Sequence, residues 1–256
     1  MVISFKNTEI FYTVQGEGRP VILLHGFLES SDIWKNFISR LSPDRKIICI
    51  DLPGHGNSGC LGEVHTMDLL AEAVFTVAEN LSLQNALLLG HSMGGYVCMA
   101  ILEKYPALAD GIILLNSTPA GDSPEKKESR DRAITLAEKN KSAFVSMAIN
   151  NLLPPDQHQK FQKELNELKS RALHFPVDGI TAALRGMKVR PDRQNILKDF
   201  SYRKVIIAGK RDPVLDYNEM KNISTRCNTE LISCNGGHLS YMEDPNELLN
   251  FVYFIE

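Results

Sequence analysis

The sequence predicts an α/β fold with a mostly parallel central sheet, helices on both faces and an inserted helical segment. Three observations predict it. Short, almost wholly apolar runs recur along the chain, as strands covered on both faces require. Helical patterns alternate with them, which implies right-handed crossovers between parallel strands. The alternation then breaks for about seventy residues before it resumes, a stretch rich in helix formers and without a convincing strand.

The elements follow in order. Glu9 to Val14 and Pro20 to His25 read as strands separated by the turn Gln15-Gly16-Glu17-Gly18. Lys46 to Asp51 and Ala86 to Gly90 are apolar strands, and Gly111 to Asn116, Lys204 to Gly209 and Glu230 to Cys234 repeat the pattern. Thr66 to Leu81 carries Leu69, Leu70, Ala73, Val74, Val77 and Leu81 on one helical face. Asn246 to Phe254 supplies a terminal helix. In the interrupting segment, Ser123-Pro124 reads as a helix cap followed by a first-turn proline. Further helices are expected around Gln157 to Ala172 and Val177 to Met187. The expected division is a core of residues 1–117 and 191–256, with residues 118–190 inserted as a helical cap.

Composition bounds the function. The 256 residues suit one α/β domain with an insertion, and 43% hydrophobic with 23% charged residues is ordinary for a globular protein. A net charge of −3 gives no electrostatic reason to expect nucleic acid or an anionic membrane as partner. The amino terminus lacks the basic and apolar regions of a secretory signal, and no apolar run is long enough to span a bilayer. Five cysteines without C-x-x-C spacing suit reduced thiols in the cytoplasm better than disulfides or a zinc site. The expected assembly is a monomer or homodimer, with no cofactor and no metal.

The chemistry centres on Gly90-His91-Ser92-Met93-Gly94, which lies directly after a strand and directly before a stretch of helical character. So short a turn bends sharply, forces its apical residue into a strained conformation and holds the Ser92 hydroxyl out at the top of the sheet. Gly90 and Gly94 remove side chains that would collide at the bend. A serine hydroxyl needs a base, and the base needs a group to hold its tautomer. Of seven histidines, His91 is a poor base because neighbouring side chains on an elbow diverge. His25 and His55 follow strand ends and either line the site or hold turns. His65, His158 and His174 lie outside any motif and read as surface or cap residues. His238 follows Gly236-Gly237 in the loop after the last strand, where an imidazole can reach the sheet edge. Asp212 lies just beyond the strand ending at Ala208, with Pro213 restricting its backbone. Asp216 is the runner-up, with helix capping as its preferred role. The order is Ser92, Asp212, His238, as expected for a nucleophile elbow. Negative charge on a carbonyl oxygen needs pre-placed donors, expected from the Met93 and Phe27 amides.

Gly54-His55-Gly56-Asn57-Ser58-Gly59 formally matches G-x-G-x-x-G, but no helix opens at Gly59 to receive a pyrophosphate, so a dinucleotide site is rejected. Leu184 and Met187 are the side chains of the inserted segment expected to touch substrate.

With these residues in place, the chain resembles the α/β-hydrolase superfamily, specifically its small cap-bearing serine esterase-like members. The resemblance rests on His25-Gly26-Phe27, on Asp51 to Ser58, on Gly90 to Gly95, on Gly209 to Asp212 and on Gly237-His238. It implies a serine hydrolase of carboxylic esters working through an acyl-enzyme, with a small-molecule acyl substrate as its partner. Dehalogenases and epoxide hydrolases of that superfamily carry aspartate at the position of Ser92. A menaquinone-pathway type of lyase or a carbon–carbon bond hydrolase is the alternative. It would need cations for a polyanionic substrate, with Arg185, Lys188 and Arg190 as possible suppliers. A non-catalytic small-molecule receptor on the same fold is the third reading.

Overall fold

The computed structural model describes residues 1–253. Eight strands form one sheet: β1 (Val2–Phe5), β2 (Thr8–Gln15), β3 (Arg19–Leu24), β4 (Arg45–Ile50), β5 (Ala86–His91), β6 (Ala109–Leu115), β7 (Arg203–Gly209) and β8 (Glu230–Cys234). Their spatial order is β1-β2-β4-β3-β5-β6-β7-β8. The first two pairings, β1 with β2 and β2 with β4, are antiparallel, and all pairings from β4 to β8 are parallel. Although β2 and β3 are joined by a short turn, they are not neighbours, because β4 lies between them. The central strands are buried on both faces, with every residue of β5 inaccessible, which is why they read as continuous apolar runs.

The helices are α1 (Lys35–Leu41), α2 (Met67–Asn80), α3 (Met93–Lys104), α4 (Pro124–Lys139), α5 (Lys141–Asn150), α6 (Gln162–Ala172), α7 (Val177–Lys188), α8 (Gln194–Asp199), α9 (Tyr217–Arg226), α10 (Ser240–Glu243) and α11 (Pro245–Tyr253). The expected terminal helix is α11, and Phe254 lies outside the described residues. Several helix starts are specified locally by a side-chain cap. Thr66 Oγ1 accepts the Leu69 amide at 3.1 Å to open α2. Ser123 Oγ accepts the Lys126 amide at 3.3 Å to open α4, with Pro124 in its first turn.

Helices α4 to α8 fill the interval between β6 and β7. Helix α7 seats on two loops through glycines that allow backbone contact. A Cβ on Gly179 would strike the backbone of Gly54, and one on Gly186 would strike the His65 carbonyl. Gly54 and its neighbours therefore serve a turn. Its Cα meets α7, its N–H donates to Gly59 O at 2.9 Å, and the next helix opens only at Met67. Among the described residues no helix is long and apolar enough to cross a membrane.

The parallel register aligns the carboxyl ends of five strands. Leu24 of β3 pairs with Gly90 of β5, His91 with Leu115 of β6, Leu115 with Ile207 of β7, and Gly209 with Cys234 of β8. The loops leaving these ends carry Phe27, Ser92, Asn116, Asp212 and His238. In open α/β sheets this is the edge where ligands bind.

Candidate active site

Ser92 stands between β5 and α3 with φ 49° and ψ −115°, a conformation that L-residues rarely adopt. The two elbow glycines have different tasks. A Cβ on Gly90 would strike Gly94 and Gly95 across the bend, whereas one on Gly94 would strike the Leu24 carbonyl on the neighbouring strand. The Ser92 amide donates to Leu115 O at 2.9 Å, and Ser117 Oγ donates to Ser92 O at 2.6 Å, so β6 and the loop that leaves it hold the strained residue.

The structure brings Ser92, His238 and Asp212 into one hydrogen-bonded chain. His238 Nε2 lies 2.9 Å from Ser92 Oγ, and His238 Nδ1 lies 2.7 Å from Asp212 Oδ2. The contact to the carboxylate requires a proton on Nδ1, which leaves Nε2 of the neutral ring to accept from the serine. Asp212 Oδ1 accepts the Val214 and Leu215 amides at 2.8 and 3.0 Å, and Oδ2 also accepts Asn116 Nδ2 at 3.1 Å. Burial would raise this carboxyl, but the His238 ring and the donated bonds hold it below the usual carboxylate range. Asp216 lies away from this chain and caps α9 by accepting the Glu219 amide at 2.8 Å.

The Phe27 and Met93 amides have no protein acceptor among the described residues, and Met93 N opens α3, where the helix dipole adds positive potential. Phe27, Ser92 and His238 line one cavity of about 100 Å³. Met187 lines it as well. Leu184 does not: it is buried in helix packing and corrects the expectation that both residues face this space.

The remaining histidines are structural in their geometry. His25 Nδ1 donates to Gly26 O at 2.7 Å, and Nε2 accepts the Leu52 amide at 2.9 Å. His55 is buried against the His25, Phe27 and Phe175 rings, and burial holds it well below the ordinary histidine value. His65, read from sequence as a surface or cap residue, is wholly buried, with Nε2 accepting the Leu61 amide at 3.1 Å and burial lowering it to about 4. His158 donates into the carbonyls of Asn150 and Leu153, and His174 is exposed. Of the candidate cations, Arg185 pairs with Glu138 and Lys188 with Asp131 at the surface, while Arg190 is buried against Asp122. Among the described residues, no group of three or more His, Cys, Asp or Glu side chains is placed to hold a metal ion.

Comparison with known proteins agrees with this architecture. The sequence profile of the α/β hydrolase fold matches residues 19–245. The chain belongs to the α/β-hydrolase family. Over 251 residues it is 25% identical to the dihydrolipoyllysine-residue acetyltransferase component of the acetoin cleaving system of Pseudomonas putida, spanning 93% of this chain and 64% of that protein. Over 112 residues it is 34% identical to the pimeloyl-[acyl-carrier protein] methyl ester esterase of Yersinia enterocolitica, spanning 43% of this chain and 42% of that protein. The chain thus covers less than two thirds of the length of these two curated relatives. A thermophilic esterase from Thermogutta terrifontis, solved with malate bound, superposes with a TM-score of 0.90 at 28% identity, covering 96% of this chain and 92% of that one.

The chain also carries a buried network that the sequence did not disclose. Glu29 Oε2 accepts the Gly26 amide at 2.7 Å and lies 2.8 Å from His91 Nδ1, while Oε1 accepts Tyr241 Oη at 2.9 Å. His91 Nε2 lies 2.9 Å from His238 O, which can only accept. Both nitrogens of His91 face acceptors, so the ring holds two protons and Glu29 is a carboxylate. Burial alone would lower His91, but the Glu29 charge and both hydrogen bonds raise it. Burial would likewise raise Glu29, and the His91 charge overturns that. The network ties the Phe27 loop, the elbow and the His238 loop together. Asn116, with φ 43°, is a second such tie, its Nδ2 donating to Asp212 and to Gly237 O at 3.0 Å. Its one sequence-level signal is an asparagine at a strand end, a residue that tolerates the left-handed region.

Proposed function

We propose that the protein is a serine hydrolase of small carboxylic esters that works through an acyl-enzyme. Ser92 Oγ attacks the ester carbonyl while His238 Nε2 takes its proton, and Asp212 stabilises the resulting imidazolium. The Phe27 and Met93 amides hold the oxyanion, a role in which one donor is worth about 3 kcal/mol. His238 then returns the proton to the leaving alkoxide. A water deprotonated by the same ring attacks the acyl carbon, releases the acid and restores Ser92. Residues 118–190 act as a cap: Arg130, Ala148, Leu152 and Met187 from this segment line the cavity with Ser92.

The observation that carries the reading is the chain of contacts from Asp212 through His238 to a serine in a strained elbow, at 2.7 and 2.9 Å. The esterases among its relatives support the same chemistry. A cytoplasmic setting is supported by the five cysteines, none of which is joined in a disulfide among the described residues.

The test is covalent labelling by a fluorophosphonate together with a panel of p-nitrophenyl esters. Stoichiometric labelling at Ser92 and turnover that disappears in Ser92→Ala are expected. Folded protein that labels elsewhere, or not at all, removes the mechanism and favours a non-catalytic receptor.

A further inference from the structure

The cavity beside Ser92 contains a cation that ester hydrolysis itself does not require. Arg130, on α4, lines the cavity, with its side chain 19% exposed. Its Nε donates to Asp122 Oδ2 at 2.5 Å, and its Nη2 reaches Oδ1 only at 3.5 Å. Nη1 has no acceptor among the described residues. Asp122 is shared, because Arg190 Nη1 lies 2.7 Å from Oδ1. Arg190 also donates to Met187 O and Ala120 O and lies 3.9 Å above the Tyr96 ring, itself part of the cavity wall.

The local charge count follows. Burial would raise the Asp122 carboxyl, but Arg130 and Arg190 hold it below its ordinary range, so it stays ionised. Two guanidinium groups, which cannot shed their protons, therefore share one carboxylate and leave one positive charge. The nearby anions have contacts of their own: Glu29 pairs with His91, and Asp212 accepts from the neutral His238 ring, Asn116, Val214 and Leu215. An unmatched charge in a partly enclosed site is costly unless something else solvates it.

We infer that Arg130 receives a carboxylate of the substrate, so that the natural ester carries a second, ionised carboxyl group. This rests on the ester-hydrolase reading and names a substrate class for it. A carboxylate suits the guanidinium because its two oxygens match the N–H fork. The remaining wall, with Phe27, Leu152 and Met187, suits the short apolar stem between the two carbonyl groups. Half-esters of dicarboxylic acids fit these requirements.

Monomethyl glutarate and methyl pentanoate isolate the charged group at matched chain length. The wild-type enzyme should favour the half-ester in kcat/KM by about 10- to 100-fold, the factor carried by hydrogen bonds to a charged group. Arg130→Gln should bring that ratio close to one. No preference in the wild type, or an unchanged ratio in Arg130→Gln, overturns the inference. Because Arg130→Gln also strips a partner from Asp122, calorimetric binding to wild-type protein supplies a second measurement. Glutarate should bind at least about tenfold more tightly than pentanoate, with the margin shrinking as salt rises. Equal affinities overturn the subsite even if esters are hydrolysed. Selective glutarate binding with no turnover of either ester instead overturns the hydrolase reading and leaves the subsite standing.

Discussion

Asp212 is held by four donors: the His238 ring, Asn116 Nδ2 and the amides of Val214 and Leu215. An asparagine there would set an N–H₂ group against at least one of those donors and favour the wrong imidazole tautomer. Asp212→Asn should therefore lower kcat by about 10⁴-fold. Asp216→Asn should stay within about threefold, since asparagine caps a helix as well as aspartate does. The check is steady-state kinetics of both variants on one p-nitrophenyl ester, and the reverse ranking would transfer the role to Asp216. Asp212 was legible because it directly follows an apolar strand in the chain order that an elbow requires. Asn116 and Glu29 were not. Asn116 meets partners 96 and 121 residues away, and Glu29 meets Tyr241 212 residues away, separations at which neither periodicity nor spacing leaves a trace. His65 was misread for the same reason, since its burial comes from α7 resting on the loop that carries it.

At the scale of elements, the strands with both faces covered were readable because burial makes them uniformly apolar. Strand β1 was not, because at the sheet edge only Phe5 of its four residues is buried and the pattern has no length. Helix α7 marks the limit of face-level reasoning. Leu184 and Met187 lie one turn apart on the same side, yet only Met187 reaches the cavity. Truncation should separate them. Met187→Ala enlarges the cavity and should shift the preferred acyl chain toward longer esters. Leu184→Ala should leave the chain-length profile alone and cost about 2–5 kcal/mol of stability, the usual result of hollowing a packed site. A series of p-nitrophenyl esters read beside thermal unfolding decides the matter. A profile altered by Leu184→Ala and untouched by Met187→Ala would place the acyl pocket on the other side of α7.

Across the whole molecule, five loops from different strands must arrive together, and the Glu29–His91 pair fastens three of them from below. This makes the pair a stability device with its own pH window. Glu29 is held below its ordinary 4.5, so its share of stability is present above that pH and lost only as pH falls through the folded value. His91 is raised above 6.5, so its share is complete below 6.5 and fades as pH climbs through the folded value. The pair's contribution is thus fullest between pH 4.5 and 6.5. Glu29→Gln strands a buried ring that can no longer be an imidazolium cheaply. Leaving one partner of a buried pair alone costs about 3–5 kcal/mol, or roughly 10 °C in Tm for a chain of this size. The informative quantity is the slope. Wild-type Tm should decline from pH 6 to pH 9 as His91 gives up its second proton. In Glu29→Gln, where His91 is already neutral near pH 6, that part of the decline should be absent. Thermal unfolding of both proteins across this range measures it, and parallel slopes would mean that His91 carries no charge in the folded protein.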